Sequence, residues 1–283
     1  MSSLQATSFS GLSSLAEAEQ TAKPAMNMDD TTDLLVQAAR KLGRKCAKMT
    51  FSEPVAYIYN PLAYAWEGHE AYLRKFARGR PQALFLGMNP GPWGMAQTGV
   101  PFGEVPAVRD WMGIRASIGK PAPEHPARPV LGLDCPRSEV SGRRLWGLFA
   151  DCFGTPETFF GRALVLNYCP LSFMRDSGAN ITPDKLPAAE KAPLQAACDD
   201  HLRTILDLLQ PARLVGIGGY ATKCLRRVTG ETETVATLLH PSPASPIANR
   251  EWPQRPRRQL EEMGLIPAPR EGGKKRANPD PAR

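Results

Sequence analysis

The stretch ALFLGMNPGPWGMAQTGVPFGE at 83–104 decides the expected fold, because a short apolar run ends abruptly in a loop rich in glycine and proline. The run from Ala83 to Leu86 has the length and composition of a strand buried on both faces, and Gly87 ends it. Three more such runs follow, at 163–166, 214–217 and 235–239. Together they predict four buried strands.

Helical patterns alternate with these strands. Between the second and third runs, apolar residues recur at helical spacing from Leu194 to Leu209, and Pro211 ends this helix. Upstream, one helix is expected to begin near Asp30 or Thr31, either of which can cap it, and another to span about 64–76. This alternation predicts an α/β fold, with a parallel sheet covered by helices on both faces.

The two ends of the chain differ from its centre in composition. Residues 1–28 are rich in Ser, Ala and Thr without an apolar period, and residues 267–283 form a basic tail interrupted by Pro and Gly. Neither segment offers enough apolar surface to pack, so both are expected to be disordered. A single domain over 29–266 remains.

The charge distribution favours a polyanionic partner. The net charge is +7, and residues 1–35 carry one Lys against five acidic residues, while residues 267–283 carry five Lys or Arg against two. The part of the chain between these segments therefore carries +8. A basic folded domain is typical of nucleic-acid-binding proteins, although many basic proteins bind none.

Composition also narrows the cellular setting. No run of about twenty apolar residues is present, and a basic-then-apolar signal segment is missing at the N-terminus, so neither a membrane span nor secretion is expected. The six cysteines stand singly without a CxxC pair, which favours reduced thiols in an intracellular protein. No nuclear-import cluster exceeds the short Lys274-Lys275-Arg276, so we expect a bacterial-type cytoplasm (nucleoid), or the nucleus if the host is eukaryotic.

Unusual polar segments follow three of the predicted strands. In parallel α/β sheets the ligand site lies beyond the carboxyl ends of the strands, which here means the segments after Leu86, Leu166 and Leu239. The first, 87–104, lacks the GK[ST] ending of a phosphate-binding loop. Its prolines restrict the backbone while its glycines permit close approach, a combination that suits a planar pocket for a flat ligand.

The other two segments each offer one polar side chain. Asn167 carries a carboxamide, whose acceptor and donors can complement the O4 and N3–H edge of uracil, although such a residue can also simply tie down a loop. His240 ends an apolar strand and opens a Pro/Ser loop, where a neutral imidazole could donate a hydrogen bond to charge developing on a leaving group. The stiff Pro/Ser stretch after it suits contact with a phosphodiester backbone.

These segments resemble those of a known family. GMNPGPWGMAQTGVPFGEV at 87–105, NYCPLSFM at 167–174 and HPSPASPIANREW at 240–252 are similar to signature segments of the single-strand-selective monofunctional uracil-DNA glycosylases. The likeness extends to VRDWMGI at 108–114 and CPRSEVSGRRLWG at 135–147, and so covers roughly 55–265. The resemblance implies a three-layer α/β/α domain around a four-stranded parallel sheet.

The same resemblance implies an activity and a set of residue roles. The expected reaction is removal of uracil, 5-hydroxymethyluracil and related bases from single- and double-stranded DNA by a monomer, without metal or cofactor. Asn89 would help to place the attacking water, and His240 would stabilise the departing uracil anion. Asn167 would read the pyrimidine edge, while Phe102 would stack on the ring. The other residues implied to line or shape the base pocket are Gly87, Met88, Gly91 and Met95, the last two near C5.

The resemblance further implies a wedge that enters the duplex where the base has been flipped out. Its DNA-contacting residues would be Ser242, Pro243, Ala244, Ser245, Pro246, Asn249 and Arg250. Ala244 and Ser245 stand where animal members are associated with a basic-polar pair, so a weaker grip on the strand is expected. Trp93 replaces a familiar Phe, which preserves an aromatic surface.

Two alternatives stay open on the sequence. One is the iron–sulfur type of uracil-DNA glycosylase, which needs four thiolates around a cluster, whereas the cysteines here show no cluster-like pairing near the N-terminus. The other is a non-catalytic binder of damaged or single-stranded DNA, for which the aromatic Trp93 and Phe102 would serve equally well. A pure binder, however, needs neither Asn89 nor His240.

Overall fold

The computed structural model describes residues 28–230 and 234–268. Within these residues there are seven strands: β1 (Tyr57–Tyr59), β2 (Ala83–Gly87), β3 (Ala163–Asn167), β4 (Ser172–Met174), β5 (Asn180–Ile181), β6 (Arg213–Ile217) and β7 (Val235–Leu238). The central sheet has the order β3-β2-β6-β7, and all of its neighbouring strands are parallel. A smaller antiparallel sheet has the order β1-β4-β5.

The helices surround the central sheet. They are α1 (Met28–Cys46), α2 (Pro61–Tyr64), α3 (Trp66–Phe76), α4 (Met95–Thr98), α5 (Val140–Phe153), α6 (Pro156–Phe160), α7 (Ala188–Leu209), α8 (Gly219–Thr229), α9 (Pro246–Glu251) and α10 (Gln254–Glu262). A π-helical turn lies at Ala107–Trp111, and 3-10 turns lie at Gly132–Asp134 and Pro183–Lys185. None of the described helices is long and apolar enough to cross a membrane.

Opposite faces of the sheet pack on different helices. All five residues of β2 are buried, and consecutive side chains of a strand point to opposite faces. The Phe85 ring lies 5.2 Å from the Phe149 ring of α5 and 6.3 Å from the Phe159 ring of α6, between centroids. Leu86 instead lines a small cavity together with Leu202 and Ile205 of α7. The protein is therefore a three-layer α/β/α domain around a four-stranded parallel sheet, as predicted.

Most predicted elements are confirmed with shifted ends. The four apolar runs form the four parallel strands, and β7 ends at Leu238 rather than 239. The helix predicted from Leu194 begins earlier, with Pro193 inside it. The first helix begins at Met28, before its predicted caps Asp30 and Thr31. Thr31 is buried within it, as is Thr32, whose Oγ1 donates to Ala77 O (2.9 Å).

The helix predicted over about 64–76 is confirmed as α3, which begins two residues later, at Trp66. Ala65 separates it from the short helix α2. The carbonyl of Tyr64 accepts a hydrogen bond from the backbone of Gly119 (2.9 Å), so a tertiary contact takes the place of a helical one. The terminal segments predicted to be disordered lie almost entirely outside the described residues.

Candidate active site

Parallel pairing brings the predicted site segments to one edge of the sheet. Gly87, the last residue of β2, pairs with Asn167, the last residue of β3. Beyond that pair, Tyr168 N donates to Gly87 O (2.9 Å) and Cys169 N donates to Met88 O (2.8 Å). These bonds hold the segments after β2 and β3 side by side, with Met88 half-buried.

The contacts of Asn89 fix the direction of its amide. Asn89 Nδ2 donates to Leu171 O at 3.0 Å, and a carbonyl can only accept, so the amide nitrogen must face Leu171. Among the described residues, none donates a hydrogen bond to Asn89 Oδ1. The side chain therefore presents a fixed acceptor on the side away from Leu171.

Asn167 carries a buried polar atom that lacks a partner. Its Nδ2 donates to Met95 Sδ at 3.2 Å, while its Oδ1 is buried without a hydrogen bond to any described group. Leaving a buried acceptor unsatisfied costs about 1–3 kcal/mol. Such an atom at a strand end indicates a binding site for a ligand that supplies a donor.

Phe102 packs against Gly87, beside Asn167. A Cβ at position 87 would lie 2.5 Å from Phe102 Cε2 and 2.4 Å from Asn167 Oδ1, so both side chains rest directly on the bare Cα of Gly87. Phe102 has a φ of 53°, in the left-handed region that a bulky residue seldom occupies. Its carbonyl is fixed there by the indole Nε1 of Trp146 (3.1 Å) and by Glu104 N (2.7 Å).

His240 follows β7 at the same edge. Its ring centroid lies 6.1 Å from that of Phe102, and its Cβ packs beside Gly218, where a side chain would come within 3.0 Å. Burial lowers the pKa of His240 to about 4, so the imidazole is neutral at pH 7. His240 Nδ1 accepts a hydrogen bond from Ser242 N (3.1 Å), which places the single ring proton on Nε2. The ring is thus a neutral donor.

A network missed by sequence reasoning stiffens the loop between Asn89 and Phe102. Gln97 is fully buried, and its Nε2 donates to Pro92 O and Pro129 O (3.0 Å each), while its Oε1 accepts from Leu131 N (2.8 Å). The rigid loop expected from its prolines is therefore also tied to a distant segment. The sequence 95–98, with the polar Gln97 and Thr98 after Met95 and Ala96, does not by itself indicate this network.

Glu139 is a second residue that sequence reasoning missed. It precedes α5, and Ser141 N donates to its Oε1 (3.3 Å). A Cβ on Gly91 would lie 2.4 Å from Glu139 Oε2, and one on Gly94 would lie 3.0 Å from its Cγ. Burial raises the pKa of Glu139 above its usual range, although the backbone amides of Ser141 and Trp93 favour the charged form. Gly91, predicted to shape a pocket near C5, thus presents its bare Cα to this carboxyl.

The predicted wedge is built from local hydrogen bonds. Ser242 Oγ accepts from Ala244 N (3.1 Å), and Ser245 caps α9 by accepting from Ala248 N (3.2 Å), with Pro246 in the first turn. Pro243, Ala244, Pro246, Asn249 and Arg250 are exposed, and Ser242 and Ser245 are half-buried. These predicted DNA contacts therefore lie on one accessible, ordered segment.

Arg144, also missed from the sequence, fastens this wedge to α5. Its guanidinium donates to Pro241 O (3.1 Å) and to Asn249 Oδ1 (3.0 Å). Asn249 Nδ2 in turn donates to Pro243 O (2.8 Å). Since Glu139 caps α5 and Arg144 lies in its second turn, one helix terminus contacts both the Asn89 loop and the wedge.

Comparison with known proteins decides the family. The model of the uracil DNA glycosylase superfamily matches residues 74–260. A single-strand selective monofunctional uracil-DNA glycosylase of Rattus norvegicus is 49% identical over 242 residues, which is 84% of this chain and 87% of the relative. That of Bos taurus is 48% identical over 235 residues, covering 82% of this chain and 86% of the relative. The chain belongs to this family.

A solved structure agrees with the fold of the family. The crystal structure of wild-type Pedobacter heparinus SMUG2 superposes with a TM-score of 0.57 at 19% identity, covering 81% of this chain and 94% of that one. The family resemblance predicted from the sequence is confirmed by the relatives above, and this structure agrees with the predicted fold. No group of three or more His, Cys, Asp or Glu among the described residues is arranged to hold a metal ion.

Proposed function

We propose that this protein hydrolyses the N-glycosidic bond of uracil and of 5-modified uracils such as 5-hydroxymethyluracil in single- and double-stranded DNA, and so initiates base excision repair. The observation that carries the proposal is the buried, unpartnered Oδ1 of Asn167, flanked by the Phe102 ring. An aromatic face beside an unsatisfied acceptor fits a flat heterocycle with an N–H group.

Asn167 selects uracil by complementarity. Its Oδ1 accepts from N3–H of the base, and the second hydrogen on Nδ2, free of Met95, donates to O4. Cytosine presents an acceptor at N3 and an amino donor at C4, so both contacts would be mismatched. A site built to hydrogen-bond one pattern rejects the opposite one strongly, because its buried groups are left unpaired. Met95, beside the reading amide, is suitably placed to border the C5 side of the ring.

His240 stabilises the leaving group. Breaking the glycosidic bond places negative charge on the base and positive charge on the sugar. A neutral imidazole that donates from Nε2 lowers the energy of the anion without transferring its proton, and its pKa of about 4 keeps it neutral over the working pH range. The bond from Ser242 N to Nδ1 maintains the required tautomer.

Asn89 positions the water. Its Oδ1 accepts a hydrogen bond from the nucleophile, but an amide is too weak a base to generate hydroxide, so attack must come late, on a sugar that is already electrophilic. No lysine lies in the segments 87–105, 167–174 and 240–252, so these offer no amine for a Schiff base and the strand should remain uncut.

The wedge and the basic charge of the domain support DNA as the substrate. Flipping a base from a duplex costs a few kcal/mol, and least from a single strand or a mismatch. The exposed segment 242–250 would fill the gap left in the stack, while the positive charge supplies sequence-independent affinity for phosphates.

Base release from an oligonucleotide with one uracil tests the proposal. The wild type is compared with Asn89→Ala and His240→Ala, and 5-hydroxymethyluracil, hypoxanthine and thymine substrates are included. We expect each variant to lose roughly 100- to 1,000-fold in rate. Strand breaks should appear only after alkali, and Asn89→Ala should still bind the abasic product. Failure of well-folded wild type to release any base would instead favour a damage-binding protein.

A further inference from the structure

Two arginines share one indole ring in the loop that follows Asn89. The guanidinium carbon of Arg137 lies 4.7 Å from the centroid of the Trp93 ring, and that of Arg128 lies 5.3 Å from it. Arg128 is further fixed by hydrogen bonds from its Nε to Gly178 O (3.0 Å) and from its Nη1 to Ala127 O (3.2 Å). Two cations thus share one aromatic ring.

This pair of cations has no acidic partner. Within the described residues, no carboxylate lies within 4.0 Å of either guanidinium, and Arg137, which is exposed, makes no hydrogen bond with its side chain. The carboxyl of Glu139, close in sequence, is turned inward against Gly91 and Gly94. Like charges held together without a counter-charge indicate a site for an anion from solution.

The position of the pair connects it with the proposed base pocket. Trp93 lies between Gly91 and Gly94, both of which rest on Glu139, and that loop begins with the fixed amide of Asn89. The ring on which both guanidinium groups rest therefore belongs to the loop that carries Asn89. They belong to elements other than the 242–250 wedge, so they offer a second, separate contact with the substrate strand.

Stacking suits these groups to phosphate recognition. A guanidinium that rests on an aromatic ring keeps its N–H edges free, and its planar fork matches phosphate oxygens while losing little rotamer freedom. We infer that Arg137 and Arg128, ordered on Trp93, bind a backbone phosphate of the DNA strand whose base enters the pocket. This inference rests on the proposed function.

Salt-dependent binding of the full chain tests this phosphate site. The probe is a fluorescent single-stranded oligonucleotide with a stable abasic-site analogue, followed by anisotropy at several NaCl concentrations. Losing one phosphate contact should reduce the slope of log K against log salt by about 0.7 for Arg137→Gln. The matched control is Arg162→Gln, which removes the same charge from an exposed side chain just before β3, at the opposite edge of the sheet. The control should keep the wild-type slope.

Two further variants separate charge from stacking. Arg137→Lys should keep the slope while affinity falls a few-fold, and Trp93→Leu should do the same, because each retains the charge but loses the ordered fork. If Arg137→Gln matches Arg162→Gln in both slope and affinity, the phosphate site is refuted. That result together with uracil release would leave the proposed activity intact. If Arg137→Gln reduces the salt-dependence slope but the wild type releases no base, the proposed activity is overturned and the phosphate site stands.

Discussion

Replacing Gly87 with alanine tests whether Phe102 and Asn167 hold the base. The new Cβ would lie 2.4 Å from Asn167 Oδ1 and 2.5 Å from Phe102 Cε2. Since non-bonded heavy atoms settle at about 3.5 Å or more, each side chain must withdraw by about 1 Å. A misplacement of that size can cost roughly 100-fold in rate, so we expect a loss of this order in uracil release.

The same substitution should leave the protein folded. Overpacking a well-packed site costs about 1–3 kcal/mol of the free energy of unfolding. Replacing glycine with alanine in compatible backbone returns about 0.4–1 kcal/mol through the unfolded chain. A net loss of about 1–2 kcal/mol is therefore expected, well below typical domain stability of about 5–15 kcal/mol.

Single-turnover release from a uracil-containing single strand measures the effect. Gly147→Ala on α5 is the matched control, because a Cβ there would meet nothing within 4 Å. Denaturant unfolding of both variants confirms that they are folded. If Gly87→Ala releases uracil as fast as Gly147→Ala, then Phe102 and Asn167 do not form the base-binding site.

Three further predictions concern selectivity, the wedge and pH. Asn167→Asp should weaken discrimination against cytosine, because a protonated carboxyl group can present a different hydrogen-bonding pattern to the base. Release of uracil and of cytosine measures this effect. Strict specificity for uracil in the variant would contradict the proposal that Asn167 recognises the base. Arg144→Ala should slow uracil release from duplex DNA by about 10-fold relative to the control Arg143→Ala. The effect on single-stranded DNA should be smaller, because only a duplex needs the wedge that Arg144 holds. Equal loss on both substrates would count against this role of Arg144. The third concerns His69, whose pKa burial lowers to about 4 from 6.5, so the unfolded chain binds the proton first and stability is lost as the pH falls from about 6.5 towards 4. Between pH 7 and 4.5 the share of His69 in this loss is on the order of 2–3 kcal/mol. His69→Asn should remove that share in urea unfolding, while its amide can still donate to Gly99 O. An unchanged pH dependence would refute the assignment.

The parallel sheet could be predicted because its strands are continuous apolar runs. Strands buried on both faces leave that pattern in the sequence whatever their partners. The small antiparallel sheet leaves no such trace, since β1 and β4 have three residues each and pair over a long sequence separation. The break at Ala65 was equally hidden, because the competing bond to Tyr64 comes from Gly119, in a distant loop.

The candidate site, like the fold, could be predicted only in part from the sequence. Side chains at strand ends, such as Asn167 and His240, could be found because the sheet topology brings those ends together. Gln97 and Glu139 could not, because Gln97 bonds the backbone of Pro129 and Leu131 and Glu139 packs on Gly91 and Gly94, all distant in sequence. A sequence pattern does not show which distant backbone lies nearby. Residues proposed to touch a ligand were therefore easier to find than the residues that hold them in place.

The glycines of the 87–94 loop acquire a different meaning in three dimensions. From the sequence, they were expected to admit a flat ligand. In the structure, Gly87 faces Asn167 and Phe102, while Gly91 and Gly94 face Glu139, so these glycines admit the protein's own side chains. The proposed reaction uses a neutral imidazole and two amides, none of which can compensate for a poor position with strong acidity or basicity. Their effect must come from being fixed before the substrate arrives. The close packing that glycine permits is therefore itself a requirement of the proposed chemistry.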